Sequence, residues 1–286
     1  MASYQVPLEV EPTRLSDYAV GIFNVLPTRK GIKKAIKNGL VTVNGQQGFT
    51  GDYITGGEVI ELYPNHLDAQ KPIVHIPLDV LYEDDELAIV NKPPGILVSG
   101  NKKWTLQNAL SPHLQPSTQQ DALLRPEPVH RLDYPTSGAL LVGKTAKAVI
   151  ALNQLFENRH IRKTYLAVTI GNMPSEGSMD TPVDEKDAKS FYKVLETVSS
   201  PKYGCFNLVE LSPETGRRHQ LRKHLAGMGN PILGDLLYGK EGLLLKGKGL
   251  YLHAASLKFI HPFTHEALKV TAPTPKKFVK LFPKQF

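Results

Sequence analysis

The stretch His130-Arg131-Leu132-Asp133-Tyr134-Pro135-Thr136-Ser137-Gly138 sets one carboxylate beside an arginine and ahead of a small-residue turn, and an apolar run follows at residues 139–142. Proline at 135 pushes Tyr134 toward extended backbone, and Gly138 permits a close approach, so Asp133 is predicted on a loop entering a strand. Loops held by rigid scaffolds often carry catalytic groups. Spacing alone leaves two readings open. Asp133 is either a catalytic carboxylate, or a side chain that orders its own loop through an Asx-type hydrogen bond with Arg131 as ion-pair partner. A second stretch, residues 214–225, reads Glu-Thr-Gly-Arg-Arg-His-Gln-Leu-Arg-Lys-His-Leu. A helix starting near Arg218 would stack Arg218 and Arg222 one turn apart and bury Leu221 and Leu225. Its free N–H groups would point toward a phosphate. The plain alternative is a basic surface helix. His219 and His224 lack the His-Glu-x-x-His spacing of a zinc site, so no metal is expected.

Such loops need a scaffold. Strand-like runs recur at residues 80–82, 87–91, 138–142, 163–170, 192–198, 205–211 and 251–259, while 104–110, 146–158 and 218–226 read as helices. Strands outnumber helices and do not alternate with them regularly. The expectation is therefore an α+β fold on a mixed, largely antiparallel sheet over residues 75–286. A polar, unpatterned linker is predicted at 64–74.

Residues 1–63 read as a separate small module. Thr28 is placed to cap a helix over 29–37 that Gly39 stops, and Ile32, Ala35 and Ile36 share its apolar face. A strand over 40–43 runs into Asn44-Gly45, a strong hairpin signal, and a second strand over 58–63 closes the unit. The outer helix face carries Arg29, Lys30, Lys33, Lys34 and Lys37, with no acid among them. A solvated face is the plain reading. Five like charges repel one another, however, and that favours an anionic partner.

Whole-chain composition agrees with both. The 286 residues include 34 Lys and Arg against 27 Asp and Glu, a formal net charge of +7. Such a balance suits a polyphosphate partner, whose bound counterions are released when cations replace them. The lone Cys205 excludes an internal disulfide and any multi-cysteine zinc site, and its apolar neighbours predict a buried structural thiol. No apolar run nears the ~20 residues that span a bilayer. The N-terminal residues lack a basic start and an apolar core, so a cytoplasmic protein is expected.

Five segments, in order, resemble the RluA-type pseudouridine synthases. They are Leu81-Tyr82-Glu83-Asp84-Asp85 through Asn91-Lys92-Pro93-Pro94-Gly95; His130-Arg131-Leu132-Asp133 with Thr136-Ser137-Gly138; Arg162-Lys163-Thr164-Tyr165-Leu166-Ala167; Thr215-Gly216-Arg217-Arg218-His219-Gln220-Leu221-Arg222; and Leu252-His253-Ala254 followed by His261-Pro262. The module at 1–63 resembles the small αL-type RNA-binding domain of a ribosomal small-subunit protein, although Ser16 and Asp17 alter its usual opening. The resemblance implies that Asp133 acts on the ribose–base bond, that Tyr165 stacks on the target base and helps move protons, and that Arg222 pairs with the aspartate. It implies also that Arg131 helps displace the nucleotide from its stack and that Leu221 belongs to the apolar wall beside the base. His130, Arg218 and the basic helix residues are expected to contact RNA. No cofactor is implied. The expected partner is structured RNA, ribosomal large-subunit RNA before transfer RNA, bound by a monomer.

Two rivals stand beside this reading. A catalytically silent RNA-binding protein of the same fold would not need Asp133, Tyr165 and Arg222 together, yet all three are present. A nucleoside-processing glycosidase would usually carry two carboxylates and would have no use for a basic platform. The segment at 187–193 departs from the more basic one relatives often carry, which bears on the choice of RNA and not on the chemistry.

Overall fold

A computed structural model describes residues 2–23, 26, 28–63 and 72–286. Residues 64–71 of the predicted linker lie outside that set. Within the first segment the chain forms β1 (Ala2–Gln5), β2 (Thr13–Arg14), α1 (Leu15–Tyr18), α2 (Arg29–Lys37), β3 (Val41–Val43), β4 (Gln46–Gln47), β5 (Tyr53–Ile54) and β6 (Val59–Leu62). The Thr28 hydroxyl accepts from the Gly31 N–H at 3.1 Å, which satisfies one free donor of the α2 N-terminus. Asn44 and Gly45 both have positive φ, 51° and 76°, as a type I′ hairpin requires. The Asn44 side chain also accepts from the Val59 N–H at 2.8 Å, tying that turn to β6. Ile32, Ala35 and Ile36 pack on Leu15, Val41 and Ile60, giving these residues a hydrophobic core of their own. β1 is largely polar and exposed, with no apolar signal to predict it; it exists because β6 offers it an antiparallel edge.

The remaining residues build one ten-stranded sheet. Its strands are β7 (Asp79–Glu83), β8 (Leu87–Lys92), β9 (Ala122–Pro128), β10 (Ser137–Thr145), β11 (Arg162–Ile170), β12 (Glu176–Met179), β13 (Ser190–Ser200), β14 (Gly204–Pro213), β15 (Leu252–Ile260) and β16 (Ala267–Thr271). They run in the order β12-β13-β14-β11-β15-β10-β8-β7, with β16 on β15 and β9 on β10. The pairings are antiparallel except β10 with β15, which is parallel. Among the described residues four helices accompany the sheet: α3 (Leu106–Leu110), α4 (Ala146–Glu157), α5 (Gln220–Gly227) and α6 (Lys276–Leu281). The architecture is the expected α+β one. Among the described residues no helix is long and apolar enough to cross a membrane.

Some local expectations need correction. β9 was not foreseen because Pro126 and Pro128 cannot donate to a ladder; it survives by pairing only with β10. Val74, assigned to the linker, is buried, and its N–H donates to the Asn108 carbonyl at 3.0 Å. The helix expected from residue 218 begins at Gln220, because His219 takes a left-handed conformation (φ 56°, ψ 24°) that no helix turn accommodates. Arg218 therefore precedes the helix, and the i, i+4 stack with Arg222 does not form. The helix expected from 104 begins at Leu106, with Thr105 as its cap.

The β10–β15 junction sets up the site. Ala254 of β15 faces Gly138 of β10 on one side and Tyr165 of β11 on the other. The loop carrying Asp133 and the strand carrying Tyr165 thus flank a single residue. Gly138 has φ 115°, and a Cβ there would lie 2.2 Å from the Ala254 carbonyl oxygen. Gly138→Ala is expected to destabilise the fold by about 3 kcal/mol or more. Chemical denaturation checks this, and a wild-type midpoint would show that the junction can yield.

Candidate active site

Asp133 sits in a turn closed by the Thr136 N–H donating to the Asp133 carbonyl at 3.0 Å. Leu132, just before it, is buried in the core with Leu140 and Ala254. From the other side Lys92, fully buried at the end of β8, donates its ammonium to the carbonyls of Thr136 (2.7 Å), Pro93 (3.0 Å) and Tyr134 (3.3 Å). The Gly95 N–H donates to the Tyr134 carbonyl as well, at 2.8 Å. Burial pulls the Lys92 ammonium down to about 7, opposed by the Asp133 charge. The peptide carrying Asp133 is thereby held by hydrogen bonds on both sides, and its carboxylate points into a cavity of about 260 Å³. That volume is near the small end of ligand pockets, which begin around ~300 Å³.

Arg131, Lys163, Tyr165, Leu221 and Arg222 line this cavity with Asp133, and Arg218 and His219 border it. α5 delivers Arg222, which is 3% exposed. Its Nη1 reaches an Asp133 carboxylate oxygen at 3.4 Å. Its stronger partner is Asp235, which accepts from Nε at 2.7 Å and from Nη2 at 2.8 Å. Burial would raise the Asp235 pKa, but the Arg222 hydrogen bonds and charge prevail and hold it below the ordinary carboxylate value. Asp235 is itself pinned by accepting from the Leu237 and Tyr238 N–H groups at 3.0 and 3.1 Å. The guanidinium lies 5.1 Å from the centre of the Tyr238 ring, within the range of a cation–π contact. Across the carboxylate, His219 Nε2 stands 3.7 Å from Asp133, and its Nδ1 is 3.0 Å from the Tyr238 hydroxyl. Burial lowers the His219 pKa, and the Asp133 charge works against that shift.

Tyr165 lies on β11 at a bulge between Thr164 and Tyr165 that shifts the register against β15. Burial, and then the Asp133 charge, push its phenol well above the usual tyrosine range. It therefore stays protonated at neutral pH, suited to stack on a ring and donate a hydrogen bond. Leu221 is 6% exposed and supplies an apolar wall. Together these groups offer one carboxylate, a protonated phenol and a cationic rim, which suits a flat anionic or phosphate-bearing ligand.

Other predicted residues lie elsewhere. His130, expected to contact RNA, accepts from the Leu141 N–H at 2.9 Å through Nε2 and packs against Phe156. It is a backbone partner of β10 and not a member of the cavity lining. Arg29, expected on an acid-free helix face, forms an ion pair with Asp17 from α1. Lys30, Lys34 and Lys37 are exposed and Lys33 is half-buried. Lys92, Lys163, Asp235 and Tyr238 were not singled out from sequence. Only the Asn-Lys-Pro-Pro-Gly and Arg-Lys-Thr-Tyr segments pointed to the two lysines, whereas Asp235 and Tyr238 sit in a Gly-rich stretch that reads as plain loop.

The fold and this cavity bring a single carboxylate and a buried, protonated tyrosine together beneath a cationic rim. Residues 86–227 match the model of the RNA pseudouridylate synthase family. The chain is 33% identical over 291 residues to the ribosomal large subunit pseudouridine synthase D of Xanthomonas campestris, spanning 89% of this chain and 83% of that protein. To the protein of the same name from Xylella fastidiosa it is 33% identical over 285 residues, again with 89% and 83% covered. The solved structure of human RNA pseudouridylate synthase domain containing 1 superimposes with a TM-score of 0.58 at 26% identity, covering 70% of this chain and 84% of that one. The chain belongs to the RNA pseudouridine synthase family, as an RluA-type member.

His130 gives a pH test. Burial, and then the Lys163 charge, push it from an ordinary 6.5 down to about 3. Between those values the unfolded chain binds a proton that the folded chain refuses, so stability is lost as pH falls through that window. His130→Asn, which keeps an acceptor that does not titrate, is expected to flatten this acid-side loss in denaturation midpoints taken from pH 7 to 3. An unchanged slope would assign the loss to other groups.

Proposed function

We propose that this RNA pseudouridine synthase acts on ribosomal large-subunit RNA, with Asp133 as the catalytic carboxylate, Tyr165 stacked against the target uracil and Arg222 holding Asp133 in place. The observation that carries the reading is a single carboxylate fixed between Arg222 and the Lys92-braced turn, facing Tyr165 across one small cavity. Isomerisation breaks the bond from ribose C1′ to uracil N1, turns the base and rebuilds the bond to C5. The C5 proton leaves and N1 gains one. A single carboxylate serves either route, by capturing the cationic sugar at C1′ or by removing the proton at C2′. Both need a base held close while water is kept out, and Leu221 and Tyr165 supply that enclosure.

The target uridine has to leave its stack, at a cost of a few kcal/mol, and stacking on Tyr165 offsets ~1–3 kcal/mol of it. Arg131 and Arg218, both exposed at the cavity mouth, are placed to take the flanking phosphates. The preference for large-subunit RNA over transfer RNA is supported by the names of the relatives and by the basic helix α2, read as part of an αL-type RNA-binding domain over residues 1–63. In that domain Lys30, Lys33, Lys34 and Lys37 meet phosphate, with Arg29 tempered by Asp17. The reading carries a cytoplasmic monomer.

Asp133→Asn is expected to lower turnover on large-subunit RNA by more than about 10⁴-fold while RNA affinity stays within about threefold. Retained turnover would remove Asp133 from the chemistry. Deleting residues 1–63 is expected to weaken binding at least tenfold and to flatten its salt dependence; a truncated chain that binds as tightly would take RNA binding away from α2.

A further inference from the structure

The turn that braces Asp133 has a second concave face. Pro93, Pro94, Ile76, Ile96 and Trp104 line an open hollow of about 390 Å³. Trp104 is the single tryptophan of the chain and is 58% exposed. A large apolar ring left facing water beside a polar rim marks a binding surface more often than a scattered surface residue does. The rim here is basic. Lys102 and Lys103 precede Trp104 and are both exposed. Their carbonyls accept from the Asn108 side-chain amide at 3.4 and 2.8 Å, so α3 holds the loop that presents them. None of the residues lining the hollow is acidic.

The hollow abuts the turn that carries Asp133. Gly95, in its wall, donates to the carbonyl of Tyr134, the residue after Asp133, and Tyr134 is itself 56% exposed. The backbone link from Gly95 to Tyr134 sets this face beside the loop that a uridine-bearing strand would cross. An aromatic plane beside cations is an arrangement that receives an unstacked base and its phosphates, because every base has a π-face and every nucleotide a charged phosphate. We infer that Trp104, with Lys102 and Lys103, forms a subsite for an unpaired nucleobase of the substrate RNA beside the target uridine. The base lies on the indole, and the lysines take its flanking phosphates. This rests on the reading of the Asp133 cavity as the seat of the uridine.

Because the chain has one tryptophan, its emission reports this site without a label. Full-length protein carrying Asp133→Asn is titrated with a large-subunit ribosomal RNA transcript at low salt, where turnover does not interfere. Emission is expected to be quenched in step with binding. In the otherwise unaltered chain, Trp104→Ala is expected to weaken affinity for the transcript about 5- to 100-fold, with turnover at saturating RNA within about twofold. Trp104→Phe should retain most of the affinity. Replacing Lys102 and Lys103 together by Ala should lower the salt slope of binding by about 1 to 2. Unchanged emission at saturating RNA, or Trp104→Ala binding as tightly as the parent, would overturn the subsite. So would loss of a protein partner on Trp104→Ala with RNA affinity intact, which would make the hollow a protein-docking face. Failure of the unaltered chain to modify uridine would instead strike the Asp133 reading, and the fluorescence titration would still decide the subsite.

Discussion

One guanidinium is buried between two carboxylates, and the active site is arranged around it. Removing an arginine from water costs several kcal/mol even after relaxation, and only near-ideal geometry offsets that. Asp235 provides such geometry, accepting two hydrogen bonds at 2.7 and 2.8 Å in the planar fork that suits carboxylates. Asp133 lies farther off, at 3.4 Å. The distances decide the division of labour. Asp235 anchors Arg222, and Arg222 then presents a fixed positive charge to Asp133 without tying up both of its oxygens. The other Asp133 oxygen is left to the cavity side, where His219 Nε2 stands 3.7 Å away.

The sheet makes that arrangement affordable. Ala254 is the shared neighbour of Gly138 and Tyr165, so the carboxylate loop and the tyrosine are placed by strand register. Lys92 ties the Asp133 turn to β8 through three carbonyls, and α5 brings Arg222 across from the far side. Three elements distant in sequence therefore converge on one cavity of about 260 Å³. Polar groups in such a confined, low-dielectric space interact more strongly than they would in water, which favours chemistry that has to exclude it.

What could be read from the residues follows from how local each signal is. The Asp133 loop, Tyr165 and Arg222 sit in short segments with their own composition, and the strands around them are apolar or alternate, so both site and sheet were legible. The Thr28 cap, Gly39 and Asn44-Gly45 are local rules too, and α2 and its hairpin follow them. Partnerships across long separations were not legible. Lys92 meets carbonyls more than 40 residues away, and Arg29 finds Asp17 only once α1 packs on α2. Asp235 leaves no periodic trace in its Gly-rich loop. The start of α5 was misjudged because the left-handed turn at His219 is set by its place between Asp133 and Tyr238 and not by helix propensity. The polar strand β1 and the proline-bearing strand β9 owe their form to the partner strand.

That Asp235 acts on Asp133 through Arg222 is tested most directly by a double-mutant cycle on turnover at saturating RNA, using Asp235→Asn, Arg222→Lys and the pair. If the three groups form one chain of contacts, each single change already breaks it, and the double variant should be no slower than the slower single one. If the losses instead multiply, Asp235 and Arg222 act independently, and the buried guanidinium is not what sets the Asp133 carboxylate.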